Sequence, residues 1–510
     1  MGKVARARRA WPLPRGAAVA LLVLAPATAE AAPAWIDKLE LSGYLQSDIR
    51  FDIDNSRGPV PGQGYTFSLN RNDFDLKLKF TPHPDVIAVV EPRVRYYGFV
   101  SSQTLAVADL WNASDVSPFT LYMDQAYVAV KGVPSKWIDL KAGRMQVTWG
   151  SVDVFSPNDN ISSRDLSDPL DYTRKVPNEM VEIDAYPTSR LTLNAIWIPI
   201  FQPSWLPPSA PLAYSVQKNA QGCLTQFPAP PLTVAQNGQL EKLFTAVNPC
   251  ALNIPDPSVT TYLPSNKLTD MQVGLRARMK LGDLDVGVNY YYGRFGFPVA
   301  YDATVLVSPG APKTTINYSA EVVYPRMHVV GADFNYSSHW LGDVGVVGDL
   351  AVIVPEPVSF ALGIYENGSQ LLQLSNQNVP GKAFVKGAVG LERTFGSALY
   401  VDALFIHGFF DEFNDVYGLH NYVSLTPELH MLRDRVKLRL ASILDLTDPS
   451  YVFYPQLTWN PLPSVELMIG AFVLGGDLQP KNPLDYASRS KFGQPAAGRD
   501  EAISRVTVTW

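Results

Sequence analysis

The sequence predicts an all-β protein: one transmembrane antiparallel barrel of about 18 strands (16–18), with short turns on one rim and long loops on the other. Three observations predict it. Apolar and strongly polar residues alternate with period two from residue 39 almost to the last residue. The connections between alternating segments are short and long by turns. Aromatic residues such as Tyr96, Tyr97, Phe99, Trp149, Trp197, Tyr290 to Tyr292 and Trp459 gather near segment ends, as in interfacial girdles. Composition agrees. The 510 residues are 46% hydrophobic and only 18% charged, against about a quarter charged in soluble globular proteins. A net charge of -6 offers no basic surface for nucleic acid. Past the leader, no apolar run reaches the ~18 residues of a spanning helix, which excludes a helical bundle.

The leader comes first. Lys3, Arg6, Arg8, Arg9 and Arg15 precede an apolar stretch, Ala17 to Ala25, too short to cross a bilayer. Ala27-Thr28-Ala29 and Ala29-Glu30-Ala31 follow with small-x-small patterns. Residues 1–31 are therefore expected to be a cleaved secretory signal, and 32–510 a single barrel domain.

The first strand shows the rule for the rest. From Leu39 to Ile53 the odd positions are mainly Leu, Ile and Phe, and the even ones are Glu40, Ser42, Tyr44, Gln46, Asp48, Arg50 and Asp52. Phe74 to Phe80, Met271 to Met279 and Val286 to Tyr292 repeat it. A soluble sandwich would share this alternation, so the connections decide. Short turns fall near residues 82–85, 132–136, 187–189, 282–283, 337–340, 395–397, 433–434 and 461–464, with mostly long stretches between them. The predicted strands are 39–53, 68–81, 86–100, 119–132, 137–150, 178–187, 190–199, 269–281 and 284–298. The second half supplies 321–337, 341–356, 382–394, 398–410, 420–432, 435–447, 450–460, 464–476 and 500–510. In the fifth, Ile138, Leu140 and Ala142 give way to Met145, Val147 and Trp149. That parity change predicts a bulge at Gly143, with Lys141, Arg144 and Gln146 on one polar face.

A barrel this wide holds water unless loops fold in. A charge facing lipid at mid-depth costs about 2–4 kcal/mol, so the many charged alternates must line the lumen. The basic candidates for a constriction are Arg93, Arg95, Arg144, Arg276, Arg278, Lys437 and Arg439; Lys77, Lys79 and Lys141 add to them. Asp48, Asp73, Asp75, Glu91, Asp124, Asp139, Glu182 and Asp184 are the acids. Two readings stand: a polar wall whose charges pair with one another, and an arginine-lined constriction that attracts anions.

Two segments carry a family resemblance. Val506-Thr507-Val508-Thr509-Trp510 resembles the C-terminal strand that bacterial outer-membrane barrels present to their insertion machinery, with Trp510 as its signal. Gly143-Arg144-Met145-Gln146-Val147-Thr148-Trp149-Gly150 and the acidic loop after it resemble porin-type barrels, including the alginate-export-like group. The resemblance implies the outer membrane of a Gram-negative bacterium. It also implies that loop 151–177 folds inward as a constriction, with Asp153, Asp159, Asp165, Asp168 and Asp171 facing Arg144. An acidic surface loop, or one binding a divalent cation through Asp159 and Asp165, is the competing reading.

Cys223 and Cys250 share the Pro-rich loop 199–270, where a disulfide is expected in an oxidising exterior. The six histidines lack ligand spacing, and the signature of barrel lipases is absent, so no metal, cofactor or catalytic residue is expected. The expected function is passive diffusion of small hydrophilic solutes, with anions as the sharper reading. A conduit secreting an anionic polysaccharide and a structural barrel closed by its loops are the alternatives. The expected partners are outer-membrane lipid, the insertion machinery and the solute or polysaccharide. A homo-oligomer and periplasmic secretion partners stay open.

Overall fold

The computed structural model describes residues 35–53, 67–98, 119–168, 171–206, 258–310, 313–338, 342–414, 418–476 and 500–510. It also describes 217–218, 224–226, 236, 252–253 and 492. The predicted leader lies outside them, as do Cys223 and Cys250.

Eighteen strands form one sheet. The first nine are β1 Leu39–Asp52, β2 Phe67–His83, β3 Val86–Tyr97, β4 Phe119–Lys131, β5 Ile138–Met145, β6 Asn178–Thr188, β7 Leu191–Ile198, β8 Gln272–Leu281 and β9 Leu284–Arg294. The rest are β10 Arg326–Ser338, β11 Val344–Pro355, β12 Phe384–Phe395, β13 Leu399–His407, β14 Asn421–Met431, β15 Val436–Asp445, β16 Ser450–Leu462, β17 Val465–Gly475 and β18 Glu501–Thr509. Each pairs antiparallel with the next, and β1 pairs with β18 from Tyr44↔Thr509 to Asp52↔Glu501, which closes the barrel. Closure leaves no sheet edge, so every strand finds its backbone partners within the wall.

The wall is inside out. Leu41, Leu45, Ile49, Leu275, Val288, Val330, Leu350, Val389, Leu425, Ile469 and Val506 are exposed, while Asp48, Arg50, Asp73, Arg95, Arg276, Asp333 and Asp349 are buried. Water would not tolerate such a continuous apolar exterior; a bilayer does. At the seam, Trp510 exchanges backbone bonds with Gly43 at 3.2 Å and stacks on Phe74 at 5.8 Å.

The bulge expected at Gly143 is absent. The ladders to β4 and β6 pass through Gly143 without a shift. The parity change has another cause: Met145 lies on the inward face, and Met145 and Trp149 join an apolar cluster inside the barrel with Ile161, Met180 and Ile196. Lys141 keeps to the inward face with Glu182 and Asp184. Arg144 stands between Ala126 and Glu179, one residue out of phase, on the outward face.

Two long loops carry their own structure. Val299–Ser308 and Thr314–Val323 form a hairpin between β9 and β10, so the strand expected from residue 321 starts at Arg326. Val358–Glu366 and Ser369–Val379 form another between β11 and β12. The two hairpins join through a parallel ladder from Asp302↔Ala361 to Val307↔Glu366. Val305, Ile316, Phe360, Leu362 and Ile364 bury one shared apolar cluster there.

Candidate pore constriction

The loop after β5 crosses the lumen, and glycines make the crossing possible. At Gly143 φ is +132° and a Cβ would lie 2.3 Å from the Ala126 carbonyl oxygen. At Gly150 φ is +106° and a Cβ would lie 1.9 Å from Ser156 Oγ. Neither conformation nor space admits a side chain at either; Gly143 lies inside the β5 ladder, and at Gly150, past the end of β5, the chain turns inward. Trp149 then lies over Gly274 of β8 beside Ile161.

Two anchors hold the loop to opposite walls. Near its start, Ser151 N donates to Asp349 Oδ1 at 2.9 Å and Val152 N to Asp349 Oδ2 at 2.9 Å. Ser151 Oγ donates to Asp333 at 2.9 Å. These carboxylates stand on β10 and β11. Further on, Asp168 meets Arg50, Arg71 and Arg505 on β1, β2 and β18, halfway round the barrel. Arg50 grips both Asp168 oxygens, at 2.9 and 2.6 Å. Between the anchors, Asp159 pairs with Lys175 and with Arg164 at 3.0 Å, and Asp165 with Arg174 at 3.2 Å. Burial pushes the Lys175 ammonium down to about 8 against the pull of Asp159. Phe155 and Tyr172 of the loop pack on Phe409 at 5.4 and 5.9 Å.

The predicted residues separate into three groups. Arg93 and Arg95 lie in the arginine sector with the second anchor: Arg95 pairs with Asp73 at 2.8 Å and reaches Ser167 Oγ at 3.4 Å. Arg93 pairs with Asp75 and Asp124 and lies over the Tyr44 and Tyr122 rings. Asp159, Asp165 and Asp168 are buried in the loop, each on a cation other than Arg144. Asp171 accepts from Thr173 N at 3.1 Å, and Asp153 is exposed on the side of Asp402. The others stand elsewhere. Arg276 is buried on Asp333 at 2.8 Å; Arg278 is exposed; Lys437 faces His430; Arg439 lies 3.8 Å from Glu428. Arg144 pairs with Glu179 and donates to the Met123 carbonyl at 2.8 Å, so it does not meet the acidic loop.

Sequence reasoning missed Arg50, Arg71, Arg174 and Arg505 as partners of the loop's aspartates, and Asp333 and Asp349 as acceptors for its start. Arg50 already stood on the polar side of the first strand's alternation, and Arg505 alternates with Val506 and Val508. What no pattern showed was their convergence.

No protein-family profile matches the chain, and no curated protein matches it in sequence. Solved structures do resemble it in fold. OccAB3 of Acinetobacter baumannii aligns over 93% of this chain and 100% of its own, at 10% identity and a TM-score of 0.48. OpdK of Pseudomonas aeruginosa, solved with vanillate, covers 93% and 98% at 8% identity and a TM-score of 0.46. OmpF of Salmonella typhi covers 93% and 99% at 8% identity and a TM-score of 0.37.

Chemically, the lumen is divided. One sector, from β1 to β3 with β18 and the loop, holds Arg50, Arg71, Arg93, Arg95, Arg174 and Arg505. The opposite sector, on β10 to β13, holds Asp333, Asp349, Glu392 and Asp402. The arginines are paired with Asp48, Asp73, Asp75, Asp124, Asp165 and Asp168, and opposite them Arg276 meets Asp333 and Lys386 is buried on β12, so each sector carries both signs.

Proposed function

We propose that this protein is an outer-membrane channel for passive diffusion of small hydrophilic solutes, with a preference for anions. One observation carries the preference: in the arginine sector Arg505, Arg174 and Arg93 are more exposed to the lumen than the aspartates Asp48, Asp165 and Asp75 they pair with. Side-chain exposure is 19% for Arg505 against 0% for Asp48, and 14% for Arg174 against 3% for Asp165. A solute passing this wall meets guanidinium first, which favours carboxylate- and phosphate-bearing solutes. The closed barrel, its apolar exterior and its charged interior support the channel itself.

The test is single-channel recording of the refolded barrel in a planar bilayer, with reversal potential under a salt gradient. Steady conductance with anion bias supports the reading, and a cation bias overturns the preference. A second reading, a barrel closed by its own loops, is favoured by the aromatic packing of Phe155, Tyr172, Phe409, Phe410 and Tyr422 inside the mouth. A correctly folded but silent barrel would establish it.

A further inference from the structure

Asp168 comes from the loop, and the three arginines around it come from three adjacent strands of the wall. Its carboxylate is fully enclosed. Arg50 contributes a two-pronged contact, Arg71 Nη2 lies at 3.0 Å, and Arg505 Nη2 at 3.8 Å. Such a fork-to-carboxylate arrangement is how arginine recognises a free carboxylate. The cradle itself belongs to the rigid ladder β18–β1–β2, with Arg50 facing Ile503 and Leu69, and Asp48 facing Arg505 and Arg71. Asp48 cancels one of the three positive charges, taking 2.8 Å from Arg50 and 2.7 Å from Arg505. Asp73 lies closer to Arg95, at 2.8 Å, than to Arg71, at 3.5 Å, and Glu501 stands 3.8 Å from Arg50. Without Asp168 the cradle would present unmet guanidinium donors, with Arg505 as its partly exposed side.

We infer that the Arg50–Arg71–Arg505 cradle is a carboxylate-binding site of the lumen wall, that Asp168 fills it from within the chain, and that a free carboxylate takes its place by competition. The inference rests on the channel reading for solute access, but the site can be tested without conduction. A tethered competitor acts at an effective concentration of order mM. The gain on removing it is one plus that concentration divided by the cradle's own Kd, so for a Kd of about 0.1 mM the binding of a free carboxylate should tighten about tenfold or more.

The experiment titrates the folded full barrel in detergent with sodium acetate by calorimetry, against sodium chloride at constant ionic strength. Asp168→Asn, which keeps the side chain's size, should bind acetate about tenfold or more tighter than the unmodified protein. Adding Arg71→Gln should abolish that gain, and Asp168→Glu should not produce it. Equal affinity for the Asn variant and the unmodified protein, or a gain that survives Arg71→Gln, overturns the inference. Should the variants fail to fold, hydrogen exchange on the unmodified protein decides. Acetate in place of chloride should speed exchange saturably across residues 163–176, where Asp165 N bonds to the Arg174 carbonyl and Val176 N to the Ser163 carbonyl. No acetate-specific change there overturns it equally. Conductance recorded on the same preparation separates the two claims. An open channel with no acetate response sinks this site alone; a silent barrel that binds acetate as expected sinks the channel reading alone.

Discussion

The two ends of the inward loop are fastened by opposite chemistry. At Ser151 and Val152 the loop offers neutral N–H and O–H donors to carboxylates of the wall. At Asp168 it offers a carboxylate to arginines of the wall. The first contact satisfies Asp349 by hydrogen bonds and leaves its charge uncancelled. The second cancels charge on both sides, and its strength depends on keeping both partners. The loop is thus held at both walls by changing chemistry along its length. The neutral end is indifferent to a passing anion, whereas the charged end competes with one.

That contrast sets an order of effects. Asp168→Ala leaves the enclosed Arg50 and Arg71, and the partly exposed Arg505, short of a partner and should cost about 3–5 kcal/mol, read as a lower denaturant midpoint, with raised conductance. Asp349→Asn removes charge but keeps an acceptor oxygen, so its cost should be smaller, about 1–3 kcal/mol. Equal costs for the two variants would break the comparison.

A third test concerns the mouth, outside the spanning strands. His420 faces Asp445 at 2.7 Å, with Asp448 and Glu412 also near, and the bond to Asp445 raises its pKa above the ordinary 6.5. A raised folded-state pKa contributes stability that is fully present below about 6.5 and is lost as pH rises through the raised value. Unfolding of the unmodified barrel should therefore become easier above that range, and His420→Gln should flatten the dependence. An unchanged slope in the variant would remove His420 from the linkage.

The smallest effect is expected at Arg144. Since Arg144 pairs with Glu179 on the outward face, Arg144→Glu should leave the reversal potential where it was, while Arg95→Glu should move it toward cations. A shift of similar size in both would return Arg144 to the permeation path.

Much of the wall was legible because each strand residue reports its own solvent. Leu45 meets lipid and Gln46 meets the lumen, and that difference repeats every second residue. The same logic failed at Met145 and Trp149, because apolar residues packed inside the barrel read like residues facing lipid. The acidic loop after the fifth strand was visible in the sequence as a series of aspartates between two strands. Its partners were not: Arg50 and Asp168 lie 118 residues apart, and Asp48 and Arg505 lie 457 apart.

The sequence alone thus determined a closed, outward-apolar barrel, its strand positions, and an acidic loop poised after β5. Only the tertiary structure decided that Arg144 faces away from that loop, that Arg50, Arg71 and Arg505 converge on Asp168, and that two external hairpins share a sheet. The reason is physical. Alternation is a local property, fixed by whether each side chain meets lipid or water. Charge pairing across the lumen depends on strand register summed around the closed wall, which no local pattern contains.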